Sequence, residues 1–207
     1  MERPENLCRR VIADHGLNLR QPIVLQVSRF DPWKDPLGVI QAYRLVREKH
    51  TGVQLVMVGA MAGDDPEGWD ILEKIQAEAV KNPNIFVLTN MTGFGNMEVN
   101  AFQRGVDVVI QKSLRKGFGL VVSEALWKER PVVAGAVGGI PMQFPDAYRE
   151  FLVTTVEECA EKVSFLLDHR GLAADFGRAG RENVRRQFLV PRLIRDELEL
   201  IQRSIKR

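Results

Sequence analysis

Three observations predict an α/β protein built on a doubly wound parallel sheet, Rossmann-like, with a helical carboxy-terminal tail. Short, nearly continuous runs of Val, Ile and Leu alternate with longer amphipathic stretches. The runs have strand length and are apolar on both faces, as in strands covered from both sides. Residues with binding chemistry gather just after these runs, at the carboxyl ends of the strands, where parallel α/β sheets carry their ligand sites. A β-α-β-α alternation in one chain also implies right-handed crossovers, with helices on both faces of the sheet.

The elements follow in order. Residues 5–14 read as a short helix ahead of a first strand over 23–27. The 37–49 stretch places Ile40, Tyr43, Leu45 and Val46 mostly on one face and Arg44, Arg47 and Glu48 outside it, the pattern of a helix covering a sheet. Further strands are expected over 53–58, 85–88, 106–110 and 131–134, and further helices over 69–80, 97–104 and 120–127. From Thr155 the pattern is all helical: 156–167, 172–187 and 192–205. The last carries Leu193, Ile194, Leu198, Ile201 and Ile205 as a periodic stripe, which needs a partner surface in this domain or outside the chain. With no internal repeat, low-complexity tract or long linker, the 207 residues are expected to form one domain: a lead-in over 1–21, an α/β core over 22–154 and the tail over 155–207.

Composition narrows the class. The chain is 45% apolar and 27% charged, and a domain of this length hides about 70% of its extended surface. Lys and Arg total 29 against 27 for Asp and Glu, a formal net charge of +2, which gives no electrostatic reason to expect nucleic acid or an anionic membrane as partner. Cys8 and Cys159 are too few for a disulfide framework and lack metal-ligand spacing. No run approaches the roughly 18 apolar residues of a membrane helix, and Met1-Glu2-Arg3-Pro4 does not open a signal peptide, so the expected location is cytoplasmic.

The strand exits hold the candidate site. After the first strand come Arg29 and Lys34: a guanidinium forks two phosphate oxygens and an ammonium acts as a point charge, although both also suit solvated loop positions. After the second, Gly59 opens a loop to the acidic run Asp64-Asp65-Pro66-Glu67, which reads as a turn rather than a metal site. After the third, Asn90 and Met91 lie in a stretch, 89–93, whose main-chain groups suit the edge of a base. After the fourth, Gly117 and Gly119 permit close backbone approach and lead into a helix whose free amides favour an anion; an ordinary tight turn with a capped helix has the same pattern. Glu124, about one and a half turns into that helix, is placed to accept hydrogen bonds from two neighbouring hydroxyls, as on a ribose. After the fifth comes the double glycine Gly138-Gly139. Neither G-x-G-x-x-G nor a Walker loop follows any strand, which removes the fingerprint of a nicotinamide-dependent oxidoreductase.

Several of these stretches together resemble a known family. Val27-Ser28-Arg29-Phe30-Asp31-Pro32-Trp33-Lys34, Val56-Met57-Val58-Gly59, Gly117-Phe118-Gly119-Leu120 with Glu124, and Ala136-Val137-Gly138-Gly139 resemble the carboxy-terminal domain of the retaining GT-B glycosyltransferases of family 4. Asp64-Asp65-Pro66-Glu67-Gly68-Trp69, Asn100-Ala101-Phe102-Gln103-Arg104 and Ala125-Leu126-Trp127-Lys128 carry a narrower likeness to its archaeal trehalose-forming branch. The resemblance runs from about Pro22 to the final helix. It implies a nucleoside diphosphate glucose donor, no required cofactor or metal, retention at the anomeric carbon, and a second, amino-terminal Rossmann-like domain for the acceptor. In that scheme Arg29 and Lys34 are the catalytic cations on the leaving diphosphate. Gly59, Asn90 and Met91 border the nucleotide, and Lys116, Gly117, Phe118, Gly119 and Leu120 form the donor loop. Glu124 matches the second carboxylate of the family's E-x7-E pair. Two departures stand out: Lys116 occupies the position of the first carboxylate, and Pro145-Asp146-Ala147-Tyr148-Arg149-Glu150-Phe151-Leu152-Val153 replaces a stretch that usually carries Asp-Gly-x-x-Gly. The expected function is the donor-binding half of a retaining glucosyltransferase. The alternative is a nucleotide-binding or interaction domain that has lost transfer.

Overall fold

The computed structural model describes residues 5–115 and 117–205. Among them six strands form one parallel sheet: β1 Ile23–Val27, β2 Gln54–Gly59, β3 Ile85–Thr89, β4 Val108–Gln111, β5 Val132–Gly135 and β6 Leu152–Val153. Their order is β3-β2-β1-β4-β5-β6. The chain winds outward from β1 to β3, then returns to the other side of β1 for β4. This reversal is a topological switch point, and the two exit loops diverge there to opposite faces of the sheet.

The helices are α1 Glu5–Asp14, α2 Pro36–Lys49, α3 Pro66–Val80, α4 Asn96–Gly105, α5 Leu120–Trp127, α6 Val156–Asp168, α7 Arg170–Gln187 and α8 Val190–Ile205. α2 packs on α3 and α6, while α1, α4, α5 and α7 pack in succession on the other side. Between the layers lie Leu25, Leu55, Met57 and Val109 of the sheet and Tyr43, Phe102, Phe151 and Phe176 around it, all fully buried. Cys159, Val163, Leu166, Phe176 and Val184 are buried as well, so α6 and α7 complete the core rather than trailing from it.

Boundary shifts have local causes. β2 starts at Gln54 because the Val53 amide is turned into a bond with the His50 carbonyl (2.9 Å). β4 starts at Val108 because the Val106 amide still closes α4 onto Phe102 (3.1 Å). α3 begins at Pro66 rather than at 69: the Asp65 carboxylate accepts from the Gly68 amide (3.0 Å), and Pro66 holds the first helical position, a preferred start. The acidic run is therefore a helix start. β6 has two residues, paired to Ala134 and Gly135 of β5, too short to show a period of its own.

No residue of α8 is buried, and Leu193, Ile194, Leu198, Ile201 and Ile205 are each more than half exposed. No helix among the described residues is long and apolar enough to cross a membrane. The chain is expected to unfold cooperatively on its own, with slow amide exchange in β1, β2, β4 and β5. Exchange in α8 should be far faster, as for an element with few buried contacts. Uniform protection through 190–205 would show that the stripe is covered; a broad thermal transition would show that the core is incomplete.

Candidate functional site at the switch point

The loop leaving β1 is built around one buried carboxylate. Asp31, 5% exposed, accepts from Lys34 Nζ with both oxygens (3.1 and 2.9 Å) and stands 3.8 Å from Arg29 Nη2. Lys34 is thereby fixed with its side chain 15% exposed, while the Arg29 side chain, 70% exposed, reaches out of the loop. Two cations face one carboxylate, so the loop keeps a positive surplus. Buried Gln26 donates to the Lys34 carbonyl (2.9 Å) from within β1, which sets the height of the turn above the strand.

The next residue ties this loop to the one leaving β4. Asp35 has left-handed backbone (φ 48, ψ 50) and caps α2 by accepting from the Gly38 amide (3.2 Å). Its other oxygen pairs with Lys112, whose side chain is only 5% exposed. Beside the pair, the Trp33 carbonyl accepts from the Leu114 amide (2.9 Å), and the Arg115 guanidinium lies 5.6 Å from the centre of the Trp33 ring. Buried Cys159 adjoins the pair. Burial raises its thiol to about 12, Lys112 opposing the shift and Asp35 adding to it, which leaves it a packed, unreactive group.

Across the switch point, Gly119 starts α5 with φ 84 and ψ 62, a conformation that glycine adopts without strain. The Gly139 amide donates to the Gly117 carbonyl (2.7 Å), and a Cβ on Gly139 would meet that oxygen and Phe118 Cα at 3.1 Å. The double glycine therefore serves close packing beneath the site loop. Gln143, fully buried, donates through Nε2 to the Phe118 carbonyl, accepts from Ser123 Oγ (2.5 Å) and receives Asn183 Nδ2 on its own carbonyl (2.8 Å). Sequence reasoning missed it; a lone amide within Ile140-Pro141-Met142-Gln143-Phe144 is a faint signal. Farther along α5, Glu124 Oε2 accepts from buried Gln103 (3.1 Å), whose Oε1 accepts from Lys128 Nζ (2.6 Å). Burial pushes the Lys128 amine below its ordinary range, and the negative charge of Glu124 opposes the shift.

Arg29, Gly59, Asn90 and Glu124 line one open hollow of about 470 Å³, together with Ser28 and Phe94. Ser28 Oγ is buried without a hydrogen-bond partner among the described residues. Lys34 and Gly117 line a wider hollow of about 690 Å³ with Trp33 and Arg115. Met91 is exposed in the 3-10 turn Asn90–Thr92, and Phe118 and Leu120 are exposed around the start of α5. Lys116 lies outside the described residues. Two readings change. The side chain of Asn90 is occupied, accepting from the Met61 amide (2.7 Å) and donating to the Met61 carbonyl (3.0 Å), while the Asn90 and Thr89 carbonyls accept from Gly93 and Phe94; only part of this turn is open to a ligand. Gly59 has a packing reason as well, since a Cβ there would stand 2.4 Å from the Phe30 ring. Among the described residues no group of three or more His, Cys, Asp or Glu side chains is placed to hold a metal ion.

Residues 9–183 match the family described as glycosyl transferases group 1. The chain belongs to that family. This group 1 glycosyltransferase chain is 55% identical over 195 residues to the trehalose synthase of Rubrobacter xylanophilus, covering 94% of this chain and 47% of that protein. It is 44% identical over 201 residues to the trehalose synthase of Thermococcus litoralis, covering 97% and 49%. The likeness to archaeal trehalose-forming proteins thus stands and extends to a bacterial one. The chain spans about half the length of the relatives it matches. Its fold is that of the C-terminal domain of a glycosyl transferase group 1 protein from Francisella tularensis (TM-score 0.69, 20% identity, 87% of this chain and 92% of that one). Anabaena HepE in complex with UDP and glucose shares it too (TM-score 0.79, 19% identity, 97% and 53%).

In this glycosyltransferase domain Asp35→Asn keeps a side chain able to cap α2 and tolerate left-handed backbone, yet leaves Lys112 buried and unpaired. It is expected to cost about 3 kcal/mol in chemical denaturation, and Asp35→Asn combined with Lys112→Met should recover most of that loss. Additive destabilisation in the double variant would show that the two side chains do not act as a pair.

Proposed function

We propose that this chain is the donor-nucleotide-binding half of a retaining glucosyltransferase, moving glucose from a nucleoside diphosphate glucose to a sugar acceptor as a trehalose synthase would. The observation that carries the reading is the convergence of Arg29, Gly59, Asn90 and Glu124 on one hollow at the switch point. The 55% identity to a trehalose synthase supports the same reading.

The geometry supports a role for each residue. Arg29, exposed at its tip, forks the oxygens of the diphosphate, while Lys34, fixed by Asp31, supplies a positive charge that need not reorganise. Together they stabilise the charge that develops on the leaving diphosphate, a form of electrostatic catalysis that asks for no bound cofactor. Glu124 keeps an oxygen beyond its bond to Gln103 for ribose hydroxyls. The loop through Gly117, Phe118, Gly119 and Leu120 borders the sugar. An amino-terminal acceptor domain completes the cleft, and the uncovered stripe of α8 fits a seat on that second body. Residues 1–207 then act as one domain, with the 22–154 core holding the donor.

A second reading, a nucleotide-binding domain without transfer, is favoured by Lys116 alone. A carboxylate at 116 accepts hydrogen bonds from sugar hydroxyls, whereas lysine only donates. Transfer of glucose when the chain is supplied with a matching acceptor domain separates the two readings.

Titration calorimetry tests the shared core of both. The isolated chain should bind nucleoside diphosphates with a Kd of about 0.1–1 mM, and Arg29→Glu should remove most of that binding; unchanged affinity would remove the phosphate site. Lys116, a cation where the resemblance has a carboxylate, should make the bare nucleoside diphosphate bind at least as tightly as its glucose conjugate. Lys116→Glu should move the preference toward the conjugate by about 1–2 kcal/mol, the scale of charged hydrogen bonds. The same ratio in both variants would mean that the donor sugar lies elsewhere.

A further inference from the structure

Beyond the groups that would touch a donor, one aromatic contact links the site loop to the far end of the fold. The Phe118 ring lies 5.2 Å from the Phe188 ring, centre to centre, at an interplanar angle of 59°. Phe118 stands between Gly117 and Gly119, so the backbone on either side of it is unusually free to turn. Its neighbours' carbonyls are tethered, Gly117 to the Gly139 amide (2.7 Å) and Gly119 to the Val122 amide (2.9 Å).

Phe188 is anchored through α7. It directly follows α7, and its amide donates to the Val184 carbonyl (2.9 Å). α7 sits tightly on α5: a Cβ on Gly180 would stand 2.5 Å from Leu126, and one on Gly177 would stand 2.1 Å from the Glu129 carbonyl. The same helix reaches the loop by a second route, from Asn183 through Gln143 to the Phe118 carbonyl. A rigid helix thus grips a glycine-flanked residue by both its ring and its backbone.

We propose that Phe188 is a positioning residue for the site loop, holding the Phe118 ring so that the tethered carbonyls of 117–119 stay engaged and the amides of the loop keep the orientation a donor needs. The part that concerns a donor rests on the function proposed above. α8 begins two residues after Phe188.

The test uses the full chain with Phe188→Ala, Phe188→Leu and, as a control on exposed α8, Leu198→Ala. Amide exchange is read at Gly139 and Val122, whose acceptors are the loop carbonyls, and in β1 and β4. Phe188→Ala should speed exchange at Gly139 and Val122 by about tenfold while β1 and β4 hold, the pattern of a local opening. Phe188→Leu, which keeps an apolar contact, should stay close to the wild type, and so should Leu198→Ala. Uridine diphosphate binding should weaken several-fold in Phe188→Ala and recover in Phe188→Leu. Unchanged exchange at Gly139 and Val122 would overturn the proposal, as would loss of protection spread evenly through β1 and β4. If the wild-type chain binds no nucleoside diphosphate, the donor reading fails, and the exchange measurement still decides whether Phe188 positions the loop.

Discussion

Asp35 and Lys112 are separated by 77 residues in sequence and meet where the strand order reverses. β1 and β4 are paired neighbours, but their exit loops feed helices on opposite faces, α2 and α5, and nothing in the pairing itself keeps those loops at a fixed separation. The ion pair does, helped by the bond from Leu114 to the Trp33 carbonyl. A buried lysine is costly without its counter-charge, so the pair has no intermediate position between closed and broken. Asp35 also accepts left-handed backbone, strain of the kind that persists where surroundings hold it in place. The pair and the Trp33 carbonyl therefore tie the two exit loops together.

Within the β1 exit loop, Asp31 sets the character of the two cations. Asp31 can serve Lys34 closely and Arg29 only at a distance, so one charge is rigid and the other is free to meet an anion. The glycines around them answer mostly to packing. Gly59 leaves room for Phe30, Gly139 for the site loop, and Gly135 for the Ser113 carbonyl, which a Cβ would approach to 2.2 Å. At Gly119 and Gly138, by contrast, positive φ itself calls for glycine. Close backbone approach at this edge is largely protein against protein, and the two hollows are what remains beside it.

The sheet was legible because its strands are continuous apolar runs buried on both faces, a pattern that survives without any knowledge of partners. The edge that carries the hollows was legible for the same reason: parallel strands direct their carboxyl ends to one side, where Gly59 ends β2 and Arg29, Asn90 and Glu124 follow the ends of β1, β3 and β4. What escaped is what depends on contacts distant in sequence. The occupied amide of Asn90 needs Met61, the Lys112–Asp35 pair needs the switch point, and Gln143 needs Phe118, Ser123 and Asn183 at once. β6 escaped because two residues carry no periodicity, and the helix start at Pro66 was read as a plain turn because a capping aspartate and a loop aspartate look alike before the helix is placed.

The central claim is that a nucleoside diphosphate sits at the carboxyl edge of the sheet, across the β1 and β4 exits. Amide chemical shifts of the isotope-labelled chain, followed during titration with uridine diphosphate, test it most directly. Saturable shifts are predicted in the loop through Arg29 and Lys34, at Gly59 and from Gly119 to Glu124, with Asp107, Arg130 and Arg170 at the opposite edge unmoved. Shifts confined to that opposite edge, or a silent Arg29 loop at saturating ligand, would contradict it.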